Sequence, residues 1–181
     1  TDNETIISSF NSIFDTELRF NDQWKLSSQV GIQWDQSSQE QYVGENTFNM
    51  RNIREDSSYD ENQYIVPKGG MHTVNNATTS QITWKVQGEY KNTFNDIHDI
   101  QIMAGSEIRK NWYNTQFTAG YGYDPKTLTT KPLNIRNDKD AEKYKLHTKT
   151  YQENAFASFY TTGSYSFMSR YTIGGSVRMD G

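Results

Sequence analysis

The chain has no cysteine, no apolar run long enough for a membrane-spanning helix, and little net charge. Without cysteine there is no disulfide framework, no zinc ribbon and no thiol nucleophile. Only 33% of the 181 residues are hydrophobic and the mean hydropathy is −0.92. That excludes helical spans of about 20 apolar residues, so any membrane crossing must use strands. The net charge is −4, with Lys and Arg scattered rather than clustered, which leaves no electrostatic footprint for nucleic acid. Catalytic signatures are missing as well. There is no G-x-S-x-G, P-loop or dinucleotide fingerprint, and Gly120-Tyr121-Gly122 is too short to count as one. His72, His98 and His147 stand far apart without metal-ligand spacing, and each is expected to be structural or solvated. The acidic pairs Glu55-Asp56 and Asp60-Glu61 lack the oxygen spacing and glycine of a calcium loop, so a solvated loop face is expected. The chain is therefore read as a non-enzyme with no metal and no cofactor.

What the chain does have is aromatic residues: 12 Tyr, 9 Phe and 4 Trp. Several sit on two-faced segments. From Trp24 to Trp34 the even positions read Trp24, Leu26, Ser28, Val30, Ile32, Trp34, while the odd ones read Lys25, Ser27, Gln29, Gly31, Gln33. Period two means a strand with unlike faces. The two tryptophans are ten residues apart, about 33 Å along a strand and about 25 Å after a tilt of roughly 40°. That is the height of the lipid-facing band of an outer-membrane barrel, with an aromatic residue at each rim.

The pattern recurs. Phe10, Ser12, Phe14, Thr16, Leu18 and Phe20 form an earlier two-faced strand with one slip at Ile13, joined through Asn21-Asp22-Gln23 to the Trp24 strand. Ile82, Trp84, Val86, Gly88 and Tyr90 turn through Asn92 to Ile97 into a strand from His98 that carries Ile100, Ile102, Ala104, Ser106 and Ile108. A third pair runs from about Glu153 through Ser166 to Arg170 into Tyr171, Ile173, Gly175, Val177 and Met179. The expected fold is thus all-β: three antiparallel hairpins, about 6–35, 80–109 and 153–181, forming part of an up-and-down transmembrane barrel. Two long polar segments, about 36–79 and 110–152, join them. Short turns alternating with long loops place the long segments outside the cell. Six strands are fewer than the smallest usual closed barrel needs, and the chain opens at Thr1 without Met, so it is read as an internal fragment of a larger wall.

On this reading Trp24, Leu26, Val30, Ile32, Trp34, Ile82, Trp84, Val86, Ile100, Ile102, Ile173 and Val177 face lipid. The second long segment gathers Trp112, Tyr113, Phe117, Tyr121 and Tyr123. Flat rings among polar neighbours suit stacking on a sugar or peptide, which makes Trp112, Tyr113, Tyr121 and Tyr123 ligand candidates. The competing reading is that the same residues continue a long strand or pack the loop. Lys85, Glu89, Glu107 and Arg109 fall on the lumen side, where mixed charge is ordinary.

Two stretches resemble a known family. These are Tyr90-Lys91-Asn92-Thr93-Phe94 running to Ile102-Met103-Ala104-Gly105-Ser106-Glu107, and Ser164-Tyr165-Ser166-Phe167-Met168-Ser169-Arg170-Tyr171 running to Val177-Arg178-Met179-Asp180-Gly181. Both resemble barrel strands of the SusC/RagA family of TonB-dependent outer-membrane transporters from Bacteroidetes; together they cover about a quarter of the chain. The resemblance implies a 22-stranded barrel with a plug domain that is absent from this chain. It implies energy from the TonB complex, and a SusD-like surface lipoprotein as partner in capturing glycans or peptides. The alternatives from the residues alone are a passive porin or structural barrel, and a soluble or surface β-domain binding carbohydrate. In the last case the apolar faces would pack against another sheet.

Overall fold

The computed structural model describes residues 2–181. Alternation becomes strand wherever it was found: β1 (Asp2–Arg19), β2 (Trp24–Val43), β5 (Gly70–Phe94), β6 (His98–Tyr123), β7 (His147–Phe167) and β8 (Tyr171–Asp180). They form one six-stranded antiparallel sheet in the order β1-β2-β5-β6-β7-β8. Chain neighbours are sheet neighbours throughout, as in an up-and-down wall. The connection from β2 to β5 carries a helix, α1 (Phe48–Glu55), and a small hairpin of β3 (Ser58–Asp60) with β4 (Gln63–Tyr64). That from β6 to β7 carries α2 (Asp138–Lys143). The all-β reading holds.

The three tight turns have distinct chemistry. In the first, Asn21 Oδ1 accepts from the amides of Gln23 and Trp24 at 2.9 and 2.8 Å, an Asx turn that lets β2 begin at Trp24. The second places Asn95 and Asp96 at φ 51° and 57°, closed by Ile97 N to Phe94 O at 3.2 Å. Two positive φ values in a two-residue loop match the right-handed twist of the strands, and Asn and Asp tolerate them. The third does the same with Met168 and Ser169, at φ 50° and 53°.

The strands run further than their alternation signalled. β2 continues to Val43, β5 begins at Gly70, β6 reaches Tyr123 and β7 begins at His147, so the connections narrow from about 36–79 and 110–152 to 44–69 and 124–146. Residues 71–79 are mostly polar or small on both faces, and such a strand has no period to read. Trp112, Tyr113, Phe117, Tyr121 and Tyr123 all lie on β6.

Packing divides the chain into two units. The hairpin unit comprises Ser9–Trp34, Thr79–Trp112 and Glu153–Gly181. One face of its sheet is a polar network. Lys25 reaches Glu89 at 3.1 Å and Glu17 at 3.6 Å, Gln29 donates to Asp15 at 2.7 Å, and Tyr160 donates to Gln87 at 3.1 Å. The other face is apolar and carries no second layer among the described residues. Trp24, Ile32, Trp34, Ile82, Trp84, Ile102, Ile173 and Val177 are exposed, Ile173 at 73%. Leu26, Val30, Val86 and Ile100 are half-covered by their neighbours. Trp24 packs on Tyr90 at 4.6 Å, and the Trp84 indole N–H donates to Ser28 Oγ at 3.0 Å. β8 pairs with β7 so that Thr161 opposes Val177, Gly163 opposes Gly175 and Tyr165 opposes Ile173. Ile13, the slip in the first strand, is 56% exposed.

The loop-rich unit comprises Thr1–Ser8, Asp35–Thr78 and Tyr113–Gln152. It has its own core: Val43, Met50, Ile65, Val66 and Tyr144, with Ile53, Tyr59, Met71, Tyr121 and Leu133 packed against it.

Candidate ligand-binding clefts

In the loop-rich unit, two clefts bring functional side chains together. The first is built on strands. Tyr42 from β2, His72 from β5 and Tyr123 from β6 meet because β2, β5 and β6 are adjacent in the sheet. The His72 ring stacks on Tyr123 at 4.8 Å with 21° between planes, and Tyr42 meets Tyr123 edge-on at 5.6 Å. His72 Nε2 lies 2.6 Å from Glu40 Oε1. Asp2, Asn3, Glu4 and Pro125 complete a cleft of about 280 Å³. Glycine makes this packing possible, because a Cβ on Gly70 would fall 2.8 Å from the Tyr42 ring. His72 already has Glu40 as a partner for its Nε2 and Tyr123 against its ring, so this cleft is a folded aromatic patch partnered largely within itself.

The second cleft is built on the connections. Thr47 caps α1, its Oγ1 accepting from Met50 N at 3.2 Å and donating to Gly44 O at 2.8 Å. Met50 then anchors the helix in the core. Ser57 ties the end of α1 to the segment that follows β4: its Oγ donates to Arg54 O at 2.6 Å and accepts from Val66 N at 3.2 Å. Across the gap, Asn134 N donates to Ile65 O at 3.0 Å and Asn134 Nδ2 to Tyr64 O at 3.1 Å, strapping the second connection to the first. The result is a polar cleft of about 370 Å³ lined by Arg54, Tyr59, Asn62, Gln63, Tyr64, Val66, Pro67 and Asn134.

Two guanidinium groups lie over the two tyrosine rings, Arg54 over Tyr64 at 4.3 Å and Arg136 over Tyr59 at 3.8 Å. They differ in charge partner. Arg136 pairs with Asp140 at 3.3 Å. Arg54 has no carboxylate within ion-pair distance among the described residues, and its Nε is buried without an acceptor. An unsatisfied buried N–H costs about 1 to 3 kcal/mol, and its retention asks for a reason. The acids nearest in sequence, Glu55, Asp56, Asp60 and Glu61, are exposed.

The sequence-derived ligand candidates scatter. Tyr121 is half-buried against Tyr144, edge to face at 6.2 Å, and burial raises its pKa from the ordinary value. Tyr123 lines the first cleft. Tyr113 is 38% exposed on β6, and Trp112, in the hairpin unit, has Lys110 Nζ 5.2 Å from its ring centre. Arg54, Tyr59, Tyr64 and Asn134 escaped sequence reading altogether, since single residues in a polar stretch carry no periodic signal. Among the described residues no group of His, Asp or Glu could hold a metal ion.

No protein-family model and no curated protein matches the chain in sequence. In structure it is similar to the RagAB peptide transporter, with TM-score 0.71 and 16% identity over 98% of this chain. It is likewise similar to the RagAB peptide importer in its 'closed-closed' state (TM-score 0.70, 15% identity) and its 'open-open' state (TM-score 0.70, 16% identity). At such identities the likeness speaks for the fold. In each case the chain spans 18% of the length of the solved chain.

Proposed function

We propose that this chain is a wall and extracellular-loop segment of a SusC/RagA-type, TonB-dependent importer in a bacterial outer membrane. The observation that carries the reading is the match of 98% of the chain to RagAB transporter structures. An apolar sheet face left uncovered supports it. A water-soluble protein rarely exposes so many large apolar side chains on one face, whereas lipid covers them at no cost. In this reading the twelve apolar positions from Trp24 to Val177 named above contact lipid. The connections 44–69 and 124–146 lie outside the cell, and the polar face with Lys25, Glu89 and Tyr160 lines the lumen.

Energy would come through a plug and TonB contact carried elsewhere in the protein. Capture would be shared with a SusD-like lipoprotein, and the cargo would be a peptide or glycan. Tyr113, which is exposed on β6, and Trp112 beside it are the first ligand contacts to test; Tyr121 and Tyr123 serve chiefly as packing.

Fractionation of the native polypeptide tests the reading. A detergent-requiring chain much longer than 181 residues, copurifying with a lipoprotein, is the expected result. A stable, water-soluble 21.0 kDa protein would overturn it.

A further inference from the structure

We infer that the cleft between α1, the β3–β4 hairpin and the irregular segment 131–136 is a carboxylate-binding site, with Arg54 as its charge. The inference rests on the importer reading only for what the carboxylate belongs to; the site itself follows from the geometry. Arg54 is a permanent cation, because a guanidinium does not deprotonate in proteins. It is held in place by the Tyr64 ring at 4.3 Å, with its backbone carbonyl fixed by Ser57. Arg54 lines the cleft and no carboxylate of the described residues pairs with it; its Nε is itself buried, so the terminal nitrogens are the atoms that would meet an incoming carboxylate. By contrast Arg136, in the same stacked arrangement over Tyr59, has Asp140. One of two matched guanidinium groups is therefore left for a partner from outside.

The rest of the lining suits that partner. Asn62, Gln63 and Asn134 bring amide groups, and Asn134 is oriented by its bond to Tyr64 O. A guanidinium presents parallel N–H groups that match the two oxygens of a carboxylate, and amide N–H groups satisfy the remaining lone pairs. The exposed acids Glu55, Asp56, Asp60 and Glu61 would repel a free anion at long range. They are screened by solvent, while a contact ion pair inside the cleft is screened far less. Two sources share this chemistry: the C-terminus of a peptide, and the uronic acid of an acidic glycan.

The test uses the full-length protein, purified in detergent with whatever copurifies. Calorimetry compares penta-alanine with its C-terminal amide, and trigalacturonate with its methyl ester. The expected result is that at least one free acid binds tenfold or more tightly than its neutral counterpart, and that Arg54→Gln abolishes this preference. Preference in the peptide pair assigns a peptide terminus; preference in the sugar pair assigns an acidic glycan. Asn134→Asp, on the exposed lip, provides a variant that leaves Arg54 in place. It should weaken the acid about tenfold and leave the neutral form unchanged. Equal binding of acid and neutral forms, no binding of either acid, or a preference that survives Arg54→Gln would each overturn the site. Failure of the importer reading would show separately, as a protein that needs no detergent, whatever the carboxylate result.

Discussion

Placing a charge at Val86 tests the lipid-facing assignment where it should hurt most. The depth of Val86 can be worked from the sheet. Tyr90 packs on Trp24 at 4.6 Å and so marks one aromatic rim. Val86 is four residues further along β5, at about 3.3 Å per residue and a tilt of roughly 40°, hence about 10 Å from that rim. In a band about 25 Å tall this is close to the midplane. There an arginine on the lipid face costs about 2 to 4 kcal/mol, which lowers the folded-to-unfolded ratio by about 30-fold to several hundred-fold. The control is Thr83→Arg, three residues away on the opposite face, where Gln81 donates to Thr83 Oγ1 at 3.3 Å in a polar setting. Urea titration of the full-length protein in lipid vesicles, followed by tryptophan emission, should show a large loss for Val86→Arg and a loss under about 0.5 kcal/mol for Thr83→Arg. Val30→Arg, about 15 Å from the Trp24 rim, should behave like Val86→Arg. Equal losses at positions 83 and 86, or no loss at either 30 or 86, would mean that the apolar face does not meet lipid.

Other perturbations probe the rest of the molecule. Trp112→Ala and Tyr113→Ala should each reduce uptake of the cargo if these rings touch it; unchanged binding and uptake would remove them from the site. Met50→Ala should cost the loop-rich unit about 2 to 5 kcal/mol, because Met50 is fully buried in its core, and faster amide exchange at Ile65 and Val66 would report it. Gly105→Ala should displace Tyr160 from Gln87, since the added Cβ would lie 2.8 Å from Val86 O and closer still to the Tyr160 hydroxyl; an unshifted melting temperature would refute this. Burial raises the pKa of Tyr121 above its ordinary value of 10.0. Its neutral form is the one the fold accommodates, so its contribution to stability is complete below about pH 10 and is lost as pH rises further. Alkaline titration at the tyrosinate band should contain one late-ionising tyrosine that Tyr121→Phe removes.

Much of the sheet was legible in the residues because two-faced strands declare themselves. β2 begins at Trp24, β6 at His98 and β8 at Tyr171, each where alternation and turn residues placed it. The extensions were silent for a physical reason. When both faces of a strand are polar, as in residues 71–79, there is no period to read; and when the apolar face switches from even positions, as at Ile100 to Ile108, to odd ones, as at Tyr113 to Tyr123, the alternation breaks while the backbone pairing persists. The loop-rich unit was illegible for a different reason. Met50, Ile65, Val66 and Tyr144 are scattered over almost a hundred residues, and only the pairing of β2, β5 and β6 brings them into one core. The same holds for Arg54, whose significance lies in what fails to surround it.

The core beneath α1 also changes what an arriving molecule must do. A floppy connection of this length would have to be frozen around each ligand, at roughly 1 to 2 kcal/mol for every backbone residue fixed. Here the segment from Gly44 to Gly69 is folded beforehand around Met50 and Val66. The Arg54 cleft is thus a standing receptor, and encounter with its guest would resemble a key meeting a finished lock more than a hand closing on an object.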